Sequence, residues 1–348
     1  MLISATILVP ATASAADVQA SLSSSLGTAA LASTQLGISV VSAPSIAFAE
    51  DASSARLMGS DIDGEATNDE SGAAVSLSSV GTRVAVGAPL NDGAGSDAGH
   101  TRVFDFDGFG WVQMGTDIDG GAAGEHSGEA VALSSDGLRV AVGAPGNTTF
   151  DNGTDAGRVR VYAWSGGFGD GGVGVWVQMG SDIKGEAAGD SSGNAVALSA
   201  DGSILAVGAS WNNGNGSNSG HVRVYEWSGS AWLQMGEDID GEAAGDASGF
   251  KAVSLNAEGT RLAVGARYNS DGGHHAGHTR VWEWTRGVEW PSGREWSYWL
   301  QMGADIDGEA AGDQSGSAVA LSADGARLAV GAPHNDGACI APPYPKAG

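Results

Sequence analysis

Apolar positions along this chain come in short bursts, each bounded by Gly, Asp, Asn or Ser. Residues 193–199 read Gly-Asn-Ala-Val-Ala-Leu-Ser, residues 199–202 read Ser-Ala-Asp-Gly, and residues 205–209 read Leu-Ala-Val-Gly-Ala. After a polar stretch come Gly-His-Val-Arg-Val-Tyr-Glu-Trp at 220–227 and Trp-Leu-Gln-Met at 232–235. Four bursts of this length, rich in Val, Leu, Trp and Tyr, predict four short strands rather than helices. Alternation puts Val222 and Val224 on one face of their strand, with Tyr225 and Trp227 on the other, so both faces are buried. In residues 205–209 small side chains alternate with large ones, which lets a neighbouring sheet come close. The Asp-Gly pairs at Asp136, Asp201 and Asp324 suit tight hairpin turns, because Gly tolerates positive φ.

This unit recurs. Met-Gly-x-Asp-Ile starts at Met58, Met114, Met179, Met235 and Met302, at spacings of 56, 65, 56 and 67 residues, with Ser-Gly thirteen residues after each Met. The loop between the last two bursts holds 4, 11, 4 and 14 residues in the four full copies. Two further residues precede Gly157. One more, at Phe250-Lys251, falls inside a strand and reads as a β-bulge. Four-stranded sheets with two apolar faces, repeating every 40–60 residues or so, predict an all-β chain folded as a β-propeller of four-stranded blades.

The recurring Ser-Gly-x-Ala-Val-Ala-Leu-Ser-x-Asp-Gly-x-x-Leu-Ala-Val-Gly-Ala resembles the FG-GAP repeat, in a Ser-x-Asp-Gly-turn variant, over about residues 57–337. That resemblance implies a propeller of the integrin α-chain kind and a secreted or surface location. Two departures stand out. Ser occupies the family's leading Phe position (Ser71, Ser127, Ser192, Ser248, Ser315), and a short turn replaces the loop in which integrin-type repeats hold calcium. The familiar calcium site is therefore not carried over.

Nineteen strands are legible, and about five blades. After residue 337 a Pro-rich segment, 338–348, stands where a further strand is expected, because three prolines in four positions cannot join a sheet. Residues 46–50, Ile-Ala-Phe-Ala-Glu, hold the register of a twentieth strand. The alternatives are a closed five-bladed ring, with 46–337 as the propeller, and a fragment of a seven-bladed one. Residues 1–45 carry no Lys or Arg and read either as a low-complexity leader or, over 1–15, as a signal peptide ending in Ala13-Ser-Ala15.

Charge narrows the partners. Sixteen Lys and Arg against 41 Asp and Glu give a net charge of −25 in 348 residues, which argues against a nucleic-acid backbone. Cys339 is the sole cysteine, so there is no disulfide framework. No apolar run approaches the ~18 residues of a membrane-spanning helix.

The acidic segments are the sharpest chemical candidates. Asp61, Asp63 and Glu65; Asp117 and Asp119; Asp238, Asp240 and Glu242; and Asp305, Asp307 and Glu309 set carboxylates two residues apart beside Gly, hard oxygen ligands suited to Ca²⁺. Against this, the intervening Ile reads as core and Lys184 replaces one Asp; the alternative is a solvated acidic connector. His100, His221 and His278 share one repeat position, and Arg158 replaces them in the second copy, which reads as a structural strand end. His274, His275 and His278 form a local cluster. Arg102, Arg160, Arg223 and Arg280 recur and are expected to pair with loop carboxylates or stack on aromatic rings. Trp111, Trp176, Trp232 and Trp299 recur as blade packing. Trp290 and Trp296 in the longest loop, together with Trp211, are candidates for ligand contact. Sequons at Asn147, Asn152 and Asn215 are about as many as chance gives.

No unique catalytic constellation is present, since every candidate acid or base belongs to the repeat. The expectation is a monomeric, non-enzymatic extracellular or surface propeller. It binds a protein or glycan partner through rim loops at 146–156, 165–175 and 285–298. The alternatives are a lectin and an inactive, truncated repeat protein.

Overall fold

The computed structural model describes residues 58–146, 154–166, 174–289 and 294–336. The leader at 1–45, the signal at 1–15, the strand at 46–50, the tail at 338–348, Trp290, Asn147 and Asn152 all lie outside the described residues. Contacts divide the chain into two units, Met1–Leu57 and Met58–Gly348, and the described strands lie in the second.

The chain is all-β, a β-propeller with blades of four antiparallel strands. Blade 1 has β1 (Ala74–Leu77), β2 (Arg83–Ala88), β3 (His100–Phe106), β4 (Trp111–Gln113) and a short β5 (Ile118–Asp119). Blade 2 has β6 (Ala130–Leu133), β7 (Arg139–Ala144), β8 (Arg158–Ser165), β9 (Val175–Gln178) and β10 (Ile183–Lys184). Blade 3 has β11 (Ala195–Leu198), β12 (Ile204–Ala209), β13 (His221–Trp227), β14 (Trp232–Gln234) and β15 (Ile239–Asp240). Blade 4 has β16 (Val253–Leu255), β17 (Arg261–Ala266), β18 (His278–Glu289), β19 (Arg294–Gln301) and β20 (Ile306–Asp307). Of the fifth repeat, β21 (Ala318–Leu321) and β22 (Leu328–Gly331) are described. Among the described residues no helix is long and apolar enough to cross a membrane.

Each blade runs in chain order, and its fourth strand and the short fifth one both pair with the third. The outer edge is thus one strand broken in two. In blade 3 the break is at Gly236, whose φ of 74° turns the chain between β14 and β15. The Asp-Ile-Asp segments, read from the sequence as connectors, therefore re-enter the sheet. Ile239 is buried, as expected for a core residue.

Blades pack through alternate faces of the same strands. Val222 and Val224 join Leu262 and Val264 of blade 4 in one core, whereas Tyr225 joins Val161 and Met179 of blade 2 in the next. The close approach comes from the Val-Gly-Ala strands. A Cβ on Gly143 would lie 2.0 Å from the carbonyl oxygen of Gly193 in blade 3. The first strands of successive blades adjoin one another, and their turns are laced by backbone bonds: Ser79 N–H to Ser135 O, Ser135 to Ala200, Ala200 to Ala257, and Ala257 to Ala323, at 2.7–2.9 Å. The Gly of the hairpin turn has positive φ, 67° at Gly202, and the Asp201 carboxylate accepts from Ser199 Oγ at 2.7 Å and Ser203 N–H at 2.9 Å. The turn's own donors thus occupy that carboxylate, and nothing there resembles a calcium loop.

Two local departures from the repeat are visible. Lys251, the extra residue of copy four, takes a φ of 53°, and β16 starts only at Val253, so the insertion sits at the strand's entry. The 14-residue segment 285–298, read as a loop, is mostly strand. It lengthens β18 to 12 residues and β19 to 8, against 7 and 3 in blade 3.

Candidate functional site

Topology sorts the side chains onto two rims. One rim carries the turns between first and second strands and the hairpins between third and fourth. The other carries the long loops between second and third strands, the entry of each third strand, and the acidic segments.

On the acidic rim the predicted carboxylates do not act segment by segment. The structure splits each acidic segment between neighbours. Asp117, Asp238 and Asp305 stand beside His100, His221 and His278, which open β3, β13 and β18. Glu65, Glu186 and Glu242, one repeat back, complete the same groups. Asp119, Asp240 and Asp307 lie on β5, β15 and β20 in register with the histidines but outside these groups. Asp61, Asp63 and Glu309 are in none of them, although the Asp63 carbonyl accepts from Arg102 Nη2 at 2.6 Å. His274 stacks on His275, with ring centres 3.9 Å apart, while His278 faces Glu242 and Asp305, so the sequence-local histidine triplet does not assemble.

The recurring arginines do both things expected of them. Arg223 Nη2 donates to Lys184 O at 2.7 Å, its Nη1 lies 3.6 Å from Glu186 Oε1, and its guanidinium sits over Tyr225. Arg102 and Arg280 repeat this pattern with Glu65 and Glu242. Burial pushes the Glu242 carboxyl up, with Arg280 opposing, and burial followed by Arg280 pulls the His278 imidazole down. The Asp238 carboxyl is held low chiefly by the His221 imidazole beside it, against its burial. Asp69, Asp190 and Asp246 are buried caps of the acidic segments. Asp190 Oδ2 accepts from Ala187 N–H at 2.9 Å and Asn212 Nδ2 at 3.1 Å.

The recurring tryptophans are packing elements. The Nε1–H groups of Trp111, Trp176, Trp232 and Trp299 donate to the carbonyls of Met58, Met114, Met179 and Met235, each at 2.9 Å. Besides the exposed Phe109, two clusters that hold exposed aromatic residues stand out among the described residues. On the acidic rim Trp211 meets Phe250 edge-on, and Arg267 lies 4.1 Å over Phe250 and 4.5 Å over Tyr268. On the opposite rim Trp296 stacks on Tyr298 at 5.2 Å and 26° in the lengthened β18–β19 hairpin, and both are exposed. Beside it runs a groove of about 750 Å³ between blades 3 and 4, lined by Leu233, Trp284, Val288 and Trp296, with Glu226 and Arg286. Asn215, the one described sequon Asn, has its Nδ2 bonded to Gly241 O and Glu242 O at 2.9 and 3.0 Å.

The segment holding Lys184, the Ser192-Gly193 pair, the Asp201-Gly202 turn and β13 up to Tyr225 has a known relative. Residues 184–225 match the FG-GAP repeat family. The FG-GAP segment spans the first three strands of blade 3, and its Ser-Gly, Asp-Gly and Val-Gly-Ala landmarks recur in the other copies. No curated protein matches the chain. Among solved structures, a putative 6-phosphogluconolactonase from Bacteroides uniformis aligns with 11% identity, covering 74% of this chain and 77% of the other, at a TM-score of 0.39. Hydrazine synthase of Kuenenia stuttgartiensis aligns with 13% identity over 74% and 82%, at a TM-score of 0.35. The β-propeller domain of the Trilobed protease from Pyrococcus furiosus aligns with 8% identity over 64% and 55%, also at 0.35.

Proposed function

We propose that this FG-GAP propeller is a non-enzymatic recognition module of the extracellular space or cell surface, and that it grips a protein partner on the β18–β19 side of blades 3 and 4. The observation that carries the reading is the hairpin itself. Its 14-residue connection is the longest of the four, against 4, 11 and 4, and it exposes a stacked Trp296–Tyr298 pair and Val288 beside a groove of mixed polar and apolar lining. Exposed aromatic anchors beside a concavity are what interfaces use for affinity. A rigid stack of blades is a suitable mount for such a projection. The acidic surface supports solubility and steers cationic partners toward the molecule. The FG-GAP resemblance supports the extracellular setting.

A glycan partner is the second reading, favoured by the flat Trp296–Tyr298 stack and by Trp211. One experiment separates the two. A photo-crosslinking residue replaces Trp296 in one variant and Phe109, which is 90% exposed on blade 1, in another. Adducts to a protein from the secreting culture that form at 296 and not at 109 support the proposal. Equal capture at both positions overturns it. Glycan-array binding lost in Trp296→Ala, without a protein adduct, turns the assignment to a lectin.

A further inference from the structure

The three His-centred groups share a design that hydrogen bonding does not explain. In Glu65–His100–Asp117, Glu186–His221–Asp238 and Glu242–His278–Asp305, one atom of each residue lies within 4.8 Å of the other two. Nδ1 stands 3.7 and 3.8 Å from the carboxylates in the first group, 3.9 and 3.4 Å in the second, and 3.7 and 3.6 Å in the third. The imidazoles are 0–1% exposed, and no Nδ1 makes a well-formed hydrogen bond, the nearest carboxylate oxygen being Asp238 Oδ2 at 3.4 Å from His221; Nε2 of His221 and of His278 has no hydrogen-bond partner among the described residues. Buried nitrogens are seldom left so. The spacings are long for hydrogen bonds. They suit the edges of a coordination shell, since metal–ligand bonds of about 2.0–2.2 Å set tetrahedral neighbours about 3.3 Å apart.

Each carboxylate is also aimed. Gln113, Gln234 and Gln301 donate through Nε2 to Oδ1 of Asp117, Asp238 and Asp305 at 2.6 Å, and Oδ2 is the atom that faces the imidazole. Arg102, Arg223 and Arg280 take Oε1 of Glu65, Glu186 and Glu242, and Oε2 faces the imidazole. One oxygen of each ligand is held by the protein and the other is offered. Metal sites orient their ligands in this way.

Blade 2 supplies the decisive comparison. There Arg158 replaces His, and in the same copy Gly121 replaces Glu. The exchange is sterically coupled, because a Cβ on Gly121 would lie 2.7 Å from Arg158 Nη2. Gln178 still holds Asp182 Oδ1, and Asp182 Oδ2 now accepts from Arg158 at 2.6 Å. The charges follow. Blades 1, 3 and 4 set three carboxylates (Glu65, Asp69 and Asp117 in blade 1) against one arginine, whereas blade 2 sets Glu125 and Asp182 against Arg158 and Arg160. With Asp119, Asp240 and Asp307 paired in register to the histidines and Lys184 paired in register to Arg158, the histidine blades are net negative here and blade 2 is not.

We propose that Glu65–His100–Asp117, Glu186–His221–Asp238 and Glu242–His278–Asp305 each bind a divalent transition-metal ion of the Zn²⁺ class, and that blade 2 carries a guanidinium in the ion's place. A buried imidazole donor selects this class over Ca²⁺ and Mg²⁺, which take oxygen ligands. Water completes the shell on the side of the partly exposed Glu. Each ion ties the segment that enters a blade to the third strand and outer edge of that blade.

The test uses the full chain, stripped with chelator and titrated with Zn²⁺ alone in ~0.3 M NaCl, which suppresses diffuse binding to surface carboxylates. Bound metal is counted by mass spectrometry, and Co²⁺ replaces Zn²⁺ to give a ligand-field spectrum. The expected uptake is three ions per chain, one for each group. It falls to two in His221→Ala and rises to four in Gly121→Glu/Glu125→Asp/Arg158→His/Lys184→Asp, which rebuilds blade 2 on the pattern of the others. The opposite directions of the two variants separate coordination from loss of fold, and circular dichroism reports the fold of each. A folded chain that takes up neither ion overturns the proposal. So does uptake unchanged when His100, His221 and His278 are all alanine, and so does displacement of bound Zn²⁺ by millimolar Ca²⁺.

Discussion

Replacing Gly143 by alanine tests whether the blades are held together by backbone contact. Gly143 is not at positive φ, so the substitution brings no conformational strain of its own. The new methyl would lie 2.0 Å from Gly193 O and 3.3 Å from the Ala130 methyl. Carbon–oxygen contacts relax at about 3.4 Å, so blades 2 and 3 must part by more than about 1 Å where they are closest. The obstacle is backbone, and Gly193 is tied by its own N–H to Gly208 O at 2.9 Å. Overpacking of this kind costs about 3 kcal/mol or somewhat more. The lower unfolded-state entropy of alanine returns only about 0.4–1 kcal/mol. A net loss of about 2–3 kcal/mol lowers the Tm of a chain of this size by about 3–5 °C. The control is Gly331→Ala in the fifth repeat. It holds the same place in the Val-Gly-Ala strand, but its Cβ would meet only Ala318, at 3.4 Å and beyond. Thermal unfolding followed by circular dichroism should show a drop of about 3–5 °C for Gly143→Ala and a shift under about 1 °C for Gly331→Ala. Equal shifts in the two variants would refute the interblade argument.

Arg158→Ala leaves the fully buried Glu125 without its nearest cation and should cost about 3–5 kcal/mol in denaturant unfolding, with Glu125→Gln added to it recovering part of the loss. Trp232→Phe keeps the ring contact with Trp227 but removes the bond to Met179 O, and should cost about 1 kcal/mol, whereas a conservative change at exposed Phe109 should cost nothing measurable. Burial pushes the Tyr225 phenol up to about 12, so the unfolded chain ionises first. The Tyr225 contribution is flat below about pH 10 and falls by about 2–3 kcal/mol as pH rises toward 12, and Tyr225→Phe removes that part of the alkaline loss in pH-dependent denaturant titrations.

The blades were legible because their signal is local. Val222, Val224, Tyr225 and Trp227 announce a strand with two apolar faces within six residues, and the structure places those faces against two different blades. The acidic segments were harder. Asp238-Ile-Asp240 is flanked by Gly236 and Gly241 and looks like a loop, yet β13 is long enough to pair with the chain twice, on either side of the Gly236 turn. The segment 285–298 misled in the opposite sense, because length alone suggested a loop where Thr285, Val288, Trp296 and Tyr298 continue the strand pattern. The His-centred groups were hidden for a different reason. Arg158 in place of His argues against a shared chemical role when that position is considered alone. Its meaning appears only beside Gly121, 37 positions away in sequence, and the two meet only after blade 2 has folded. Such a link was available in principle, since both exchanges fall in the same copy of the repeat.

The tryptophan bonds described above reach back 53, 62, 53 and 64 residues. Each therefore spans one repeat and never two. Among the described residues the turn-to-turn lacing and the apolar cores obey the same limit, and although the Lys251–Glu129 ion pair at 2.7 Å skips a blade, most of the energy is shared between units that are neighbours in the chain. A molecule coupled in this manner behaves as a one-dimensional array, whose order spreads from any formed pair to the next. It also makes the whole repeat the natural increment of evolutionary change. Duplication or loss of one unit leaves every remaining tryptophan with a carbonyl to bond. A change of half a unit strands one.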